Sequence, residues 1–355
     1  MPRKPEAVIQ LDNYYNNCML VGNVLEDDSI LVDDFRMKKI NGLWTLVDYY
    51  ENVENTDIEG ESGRAYYFDV PDYVEAIGGE AFNNTNFTCI SISKNVTTIG
   101  KGAFASCKFL KEVYIKSNKL TEIQDYAFSG CEMLEDINIP EGVVLIGYDA
   151  FFACGKLKSI ILPGSLKEIG DRAFLGCNDL VEVVIKSNML ISIPDFAFNR
   201  CRSLKQINIP EGVRKIGSYA FDRCESLESV KMPNTVVKIC AGAFIRCHKL
   251  EDIRLSDNLR SIEDYSFESC RNLDIREIPA SVTEIGIGVF LGTAIKKVTI
   301  YSGHITLLSA FEHTVQIYCP NYSRGCIVQI GQVCNKNSAM KQYSKNENLM
   351  STLNN

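Results

Sequence analysis

Residues 143–165 read VVLIGYDAFFACGKLKSIILPGS, and residues 166–189 read LKEIGDRAFLGCNDLVEVVIKSNM. Set one under the other, they share an aliphatic first residue, then Ile146 and Ile169, Gly147 and Gly170, Ala150-Phe151 and Ala173-Phe174, Cys154 and Cys177, and Leu157 and Leu180. Self-similarity at a fixed interval is the mark of a stacked repeat. Working outward, the same Phe stands at 82, 104, 128, 151, 174, 198, 221, 244, 267, 290 and 311. Ala precedes it everywhere except at Ser266 and Val289.

The other positions keep step. An aliphatic residue lies eight before the Phe (Val74 through Val282) and Ile lies five before it (Ile77 through Ile285). Leu follows six later, from Leu110 to Leu273, and then an alternating pair such as Val113 and Ile115 or Ile137 and Ile139. Alternation over a few residues predicts a strand with one buried face. Pro140-Glu141-Gly142 and Pro210-Glu211-Gly212 read as turns, because Pro ends the strand and Gly accepts positive φ. Lys116-Ser117-Asn118-Lys119 and Lys186-Ser187-Asn188-Met189 are longer turns that account for the two 24-residue intervals. Each repeat is thus one coil of strand, turn, short aliphatic segment and a compact turn around Ala-Phe. Single coils cannot close a core, but stacked coils bury continuous ladders of Ile, Leu and Phe. The expected architecture is an α/β leucine-rich-repeat solenoid, mostly β: a right-handed stack of about ten 23-residue coils with a parallel sheet.

The pattern aliphatic-x-x-Ile-Gly-x-x-Ala-Phe-x-x-Cys-x-x-Leu-x-x-aliphatic-x-Ile-Pro resembles the BspA-type, or treponemal-type, leucine-rich repeat over roughly residues 70 to 320. Gly147, Ala150, Phe151, Cys154, Leu157, Ile160 and Pro163 carry the resemblance in one repeat, and Gly170, Ala173, Phe174, Cys177, Leu180 and Val183 in the next. The resemblance implies the solenoid fold and binding of a partner, and it places such proteins at bacterial cell surfaces and in protozoa. There are departures. Gln124, Pro194, Cys240 and Glu263 replace the usual Gly, Thr85 and Thr293 replace Cys, and Arg276 falls at a position expected to be a buried aliphatic.

Residues 1–65 stand outside the repeat. Cys18–Leu25, Ile30–Phe35 and Leu43–Tyr50 read as strands, with turns at Asp27-Asp28-Ser29 and Asn41-Gly42. The expectation is a small β-meander around Trp44 that is either a structural cap or a recognition module rich in Tyr14, Tyr15, Tyr49 and Tyr50. Residues 66–320 form the repeat domain. Residues 321–355 form a C-terminal cap and a polar tail, which composition predicts to be disordered.

The net charge of -8 argues against nucleic acid as a partner, since phosphate binding gathers Lys and Arg on one face. No stretch is long and apolar enough for a membrane span, and no secretory signal is read at the N-terminus. Cys107, Cys131, Cys154, Cys177, Cys201, Cys224, Cys247 and Cys270 each follow the Phe by three. Their side chains point the same way in a stack, about one coil (~5 Å) apart, beyond the Cβ spacing a disulfide prefers. They are expected as free, buried thiols, which suits a reducing compartment, whereas the family resemblance points to the cell surface. No cofactor is expected. His313, Cys319, Cys326 and Cys334 lack metal-ligand spacing, His248 and His304 read as surface residues, and Asp27, Asp28, Asp33 and Asp34 read as turn charges. No phosphate-binding loop or hydrolase motif occurs. Glycosylation motifs at Asn83, Asn86, Asn95 and Asn321 matter only if a eukaryote secretes the chain.

Function is expected on the outward side chains of the strands, which vary while the core does not: Glu112, Tyr114, Asn138, Ile161, Val184, Asn208, Lys231, Asp252 and Arg254. These predict a protein-binding module of adhesin, effector or inhibitor type. The alternative is a structural spacer that presents its N-terminal module. An enzyme is not expected.

Overall fold

The computed structural model describes residues 67–303 and 305–320, together with 35–49 and the strands at 6–10, 19–24, 30–32 and 327–329. Of those four strands, and of Phe35, Tyr49, Thr306 and Leu308, the backbone alone is described. The strand expected from Cys18 is seen as Met19–Val24. The remaining expectations at Tyr14, Tyr15, Asp27-Asp28-Ser29, Asp33-Asp34, Tyr50, His304, Asn321, Cys326, Cys334 and the tail from 335 lie outside the described residues.

Each coil contributes one strand to a first parallel sheet, as in Glu112–Ile115, Ser159–Leu162 and Glu182–Ile185. Burial alternates along them because Val113 and Ile115, or Ile160 and Leu162, turn inward while their neighbours face water. The short aliphatic segment read from sequence proves to be a second strand, two residues long in most coils, as in Leu145–Ile146 and Glu168–Ile169. These pair in parallel as well, Ile123 with Ile146 and Ile146 with Ile169. The solenoid is therefore mostly β with two parallel sheets. Among the described residues its return side is built of turns, without an α-helix.

Between the sheets runs the aromatic column. Eleven Phe rings stack from Phe82 to Phe311, and neighbours such as Phe151 and Phe174 have centroids 5.2 Å apart and planes 2° from parallel. The inward aliphatics pack beside it, and Leu120, Leu166, Val213 and Val236 are fully buried.

The turn around Ala-Phe has an alternating backbone. The residues two before and two after the Phe take positive φ, for instance Asp149 at 51° and Ala153 at 57° around Phe151. The N–H groups of Asp149, Phe151 and Ala153 then reach forward to the carbonyls of Asp171, Ala173 and Leu175 in the next coil. The N–H groups between them fold back within their own turn, Phe152 to Asp149 and Cys154 to Phe151. A left-handed conformation costs a non-Gly residue about 1–2 kcal/mol, which these inter-coil bonds offset. The Gly before the turn answers a different need. A Cβ on Gly170 would lie 2.4 Å from the Tyr148 backbone nitrogen, so the coils could not stack at that distance.

Two of the three breaks in the sheets fall where the sequence departs from its pattern. Elsewhere the residue after the second-strand Ile donates to the coil before it, Gly147 to Ile123 and Gly217 to Ile193. Pro194 has no N–H to give Ile169, and the second sheet divides there. The first sheet divides after Asp136–Ile137 and again after Asp252–Ile253, the second time for another reason. Arg276 is not buried, as the register had suggested. Its guanidinium stays 83% exposed beside Asp274 at 3.2 Å, and Ile275 is buried in its place. An unpaired guanidinium in a dry core is too costly, so the strand restarts one residue later at Glu277–Ile278.

The N-terminal strands are antiparallel, Glu6–Gln10 with Met19–Val24 and Phe35–Ile40 with Leu43–Tyr49. The last of them pairs in parallel with Ala76–Ile77 of the first coil. Met37 and Leu46 are buried in the same core as the coils, and Trp44 packs partly buried against it.

Candidate functional site

The outward residues of the first sheet form two rows that run across the strands. In the first row Tyr67 faces Cys89, Cys89 faces Glu112, and Glu112 faces Asp136. The row continues from Ser159 through Glu182, Gln206 and Ser229 to Asp252. In the second row Tyr114 pairs with Ser91, which is itself buried, Ile161 faces Val184, and Asn208 faces Lys231. Parallel pairing puts residues of one row about 4.8 Å apart from strand to strand, and the two rows about two residues apart along each strand.

The nine side chains expected to bind are all exposed, with Tyr114 at 59%, Ile161 at 50% and Val184 at 37%. Large apolar groups left in water on a rigid sheet are the chief feature of this face. The nine are not chemically equivalent. The Asn138 amide is bound to the Ile115 backbone, its Oδ1 accepting from the N–H at 2.7 Å and its Nδ2 donating to the carbonyl at 2.9 Å. It stands in for a neighbouring strand beyond Asp136–Ile137. Arg254 donates to both oxygens of Asp257, at 3.3 and 3.0 Å, so its charge is partly neutralised. Glu112, Asn208, Lys231 and Asp252 make no side-chain hydrogen bond or ion pair among the described residues.

Flanking charges are paired off. Lys116 meets Asp69 at 2.8 Å, and its hydrogen bond holds the Asp69 carboxyl below its usual range. Lys158 meets Glu135 at 2.5 Å.

Tyr67 and Tyr318, exposed at 61% and 66%, extend the face at either end and were not singled out from sequence. Both lie where the Phe register is weak. A strand-then-Pro signal, Tyr67–Asp69 followed by Pro71 and Gln316–Tyr318 followed by Pro320, marks them.

The eight ladder cysteines are free and fully buried. Each thiol donates to the Phe carbonyl of the preceding coil, as Cys154 to Phe128 at 3.2 Å and Cys224 to Phe198 at 3.2 Å. Burial pushes the ionisation of Cys154 and Cys224 upward, so these are poor nucleophiles. Thr85 and Thr293, which replace Cys, donate instead to the Phe carbonyl of their own coil at 2.9 and 2.8 Å. No grouping of three or more metal-ligand side chains occurs among the described residues, where His313 is exposed and Cys319 half-buried. No helix among them is long and apolar enough to cross a membrane.

Residues 75–191 and 191–318 match the BspA type Leucine rich repeat region, in six copies. No curated protein matches the chain in sequence. Among solved structures, a leucine-rich repeat protein from Bacteroides ovatus is 22% identical, covers 81% of this chain and 98% of its own, and superposes with a TM-score of 0.40. A leucine rich cell surface protein from Faecalibacterium prausnitzii is also 22% identical, with coverage of 83% and 95% and a TM-score of 0.39. The pneumococcal vaccine antigen PcpA is 17% identical, with coverage of 92% and 89% and a TM-score of 0.41.

Proposed function

The chain belongs to the BspA-type leucine-rich repeat family, and from that premise we propose that it is a protein-binding module that engages its partner with the outward face of the first sheet. The fold is one that commonly mediates protein interactions. One observation carries the reading: Tyr114, Ile161 and Val184 are left in water on a sheet whose inward residues repeat from coil to coil. Non-repeating side chains on a rigid frame lose little entropy on binding, and Tyr is over-represented among hot spots. We assign no catalytic role to the chain: the ladder thiols are buried and bonded, and the nine side chains of the face include no nucleophile–base pair.

The N-terminal meander is best read as a cap. Met37 and Leu46 complete the core of the first coil, and the Trp44 backbone N–H is bound by Glu75 at 2.8 Å. A spacer role remains the second reading. The test is to capture a partner with the full chain and measure its affinity for Tyr114→Ala, Val184→Ala and Arg254→Ala. Loss of about 2 kcal/mol or more at Tyr114 or Val184 is expected of a hot spot. Ile40 is exposed on the meander at 42%, so Ile40→Ser serves as the counter-test. Binding that survives all three sheet changes and is lost in Ile40→Ser moves the site to the meander.

A further inference from the structure

The first row of the binding face is acidic over its earlier strands, at Glu112, Asp136 and Glu182. Glu112 and Asp136 face each other on adjacent strands and Glu182 continues the row, whereas Asp252, further along, has Arg254 two residues on in its own chain segment and Lys231 on the paired strand. None of Glu112, Asp136 and Glu182 has an ion pair among the described residues, although Asp69, Glu135 and Glu141 close by are each met by a lysine. Like charges set directly opposite on neighbouring strands destabilise a sheet. The cations that precede these row positions by one residue, Lys111, Lys158 and Lys205, lie on the side away from the apolar row, and Lys158 is taken up by Glu135. Between the carboxylates and the Tyr114–Ile161–Val184 row, two residues further along each strand, there is no cation to shield them.

Spacing selects the shape of the occupant. Tyr114 and Ile161 are two coils apart, ~9.6 Å, and Ile161 and Val184 one coil apart, ~4.8 Å. On a helix, residues seven apart are separated by ~10.5 Å and residues three or four apart by ~4.5–6 Å along the axis. An extended strand places same-side residues ~6.6 Å apart and matches neither interval.

Resting on the reading of this face as the binding site, we propose that its partner presents an amphipathic helix laid along the solenoid axis, with an apolar stripe on the Tyr114 row and Lys or Arg on the flank beside the carboxylate row. The apolar stripe supplies the buried area, and the basic flank sets the orientation.

The probe is a labelled 18-residue peptide with Leu at helical spacing and Lys on its flanks, titrated into the full chain by fluorescence anisotropy. Its companions are a Glu-for-Lys version and a scrambled peptide of the same composition. The expected result is binding of the Lys helix alone, weakened about fivefold in Asp136→Asn/Glu182→Gln, which removes two exposed charges from the row. Glu168→Gln/Glu211→Gln removes the same net charge elsewhere and is expected to leave affinity unchanged. Equal loss in both double variants, equal binding of the scrambled peptide, or no binding of any peptide overturns the proposal for the partner. Ile161→Ser separates this from the broader reading. If the Lys helix binds and ignores Ile161→Ser as well as the charge changes, the face itself is wrong. If Ile161→Ser alone weakens it, the face stands and the basic helix falls.

Discussion

The thiol of Cys177 donates to the carbonyl of Phe151, one coil back, at 3.3 Å. The same carbonyl also accepts the Cys154 backbone N–H of its own coil at 3.3 Å. A weak donor of small volume therefore meets the second lone pair of a buried carbonyl where nothing larger fits.

The ladder thiols are predicted to be silent in the folded chain. Burial raises the ionisation of Cys177 above its ordinary value, so little thiolate forms at neutral pH. A thiol reagent at pH 8 is expected to label half-buried Cys89 and Cys319 before any ladder cysteine, and all eight ladder thiols once denaturant is added. Four or more ladder cysteines unreactive in denaturant, and released by a reductant, would mean disulfides.

Phe174→Ala is predicted to destabilise the stack by about 3–5 kcal/mol. The ring is fully buried and stacked on both sides, at 5.2 Å from Phe151 and 5.3 Å from Phe198. Chemical denaturation should show it, and a midpoint equal to that of the unchanged protein would contradict the column.

Asn138→Ala separates structure from recognition. Its amide serves both polar groups of the Ile115 backbone, so its loss should cost about 1–3 kcal/mol of stability. Asn208→Ala, one row position without such bonds, should change stability by less than about 0.5 kcal/mol. Equal melting of the two variants would deny Asn138 its structural role.

Asp149 gives the fold a pH response. The carboxyl is buried beside Arg172, Oδ1 to Nε at 3.1 Å, and the guanidinium also donates to the Tyr148 hydroxyl and lies over the Phe152 ring at 5.4 Å. Burial outweighs the Arg172 charge and raises Asp149 to about 6. A pKa raised in the folded state means that this group favours folding most below its unfolded value near 3.8 and loses that contribution as pH rises through about 6. The stability of the unchanged chain relative to Asp149→Asn should therefore fall between pH 4 and pH 7, by up to ~3 kcal/mol. A difference that stays constant over this range would show that Asp149 titrates normally.

Much of this was legible in the residues because a solenoid writes its core periodically. The Phe interval alone placed the aromatic column, and the alternation at Val113 and Ile115 placed the first sheet. The second sheet escaped notice because a two-residue strand such as Glu122–Ile123 is too short to alternate. Arg276 was misplaced because register counting assumes unbroken phase, whereas the chain gives up phase to keep a charge in water. Of the binding face, the exposure of Tyr114, Ile161 and Val184 followed from pattern. The commitments of Asn138 to Ile115 and of Arg254 to Asp257 depend on which way side chains bend, and no spacing rule encodes that.

The forward-pointing N–H groups of the turns make the stack directional, with a donor end and an acceptor end like the two ends of a filament. Towards the donor end the pattern changes: the Gly292 N–H, whose counterparts elsewhere reach a backbone carbonyl of the next coil, is met at 3.2 Å by the side-chain carboxylate of Glu312 in that coil. Each end thus needs its own terminator, and the two are not interchangeable. Interior coils all present the same donors ahead and the same acceptors behind. Whole coils can therefore be gained or lost from the middle, lengthening or shortening the face while both terminators stay in place.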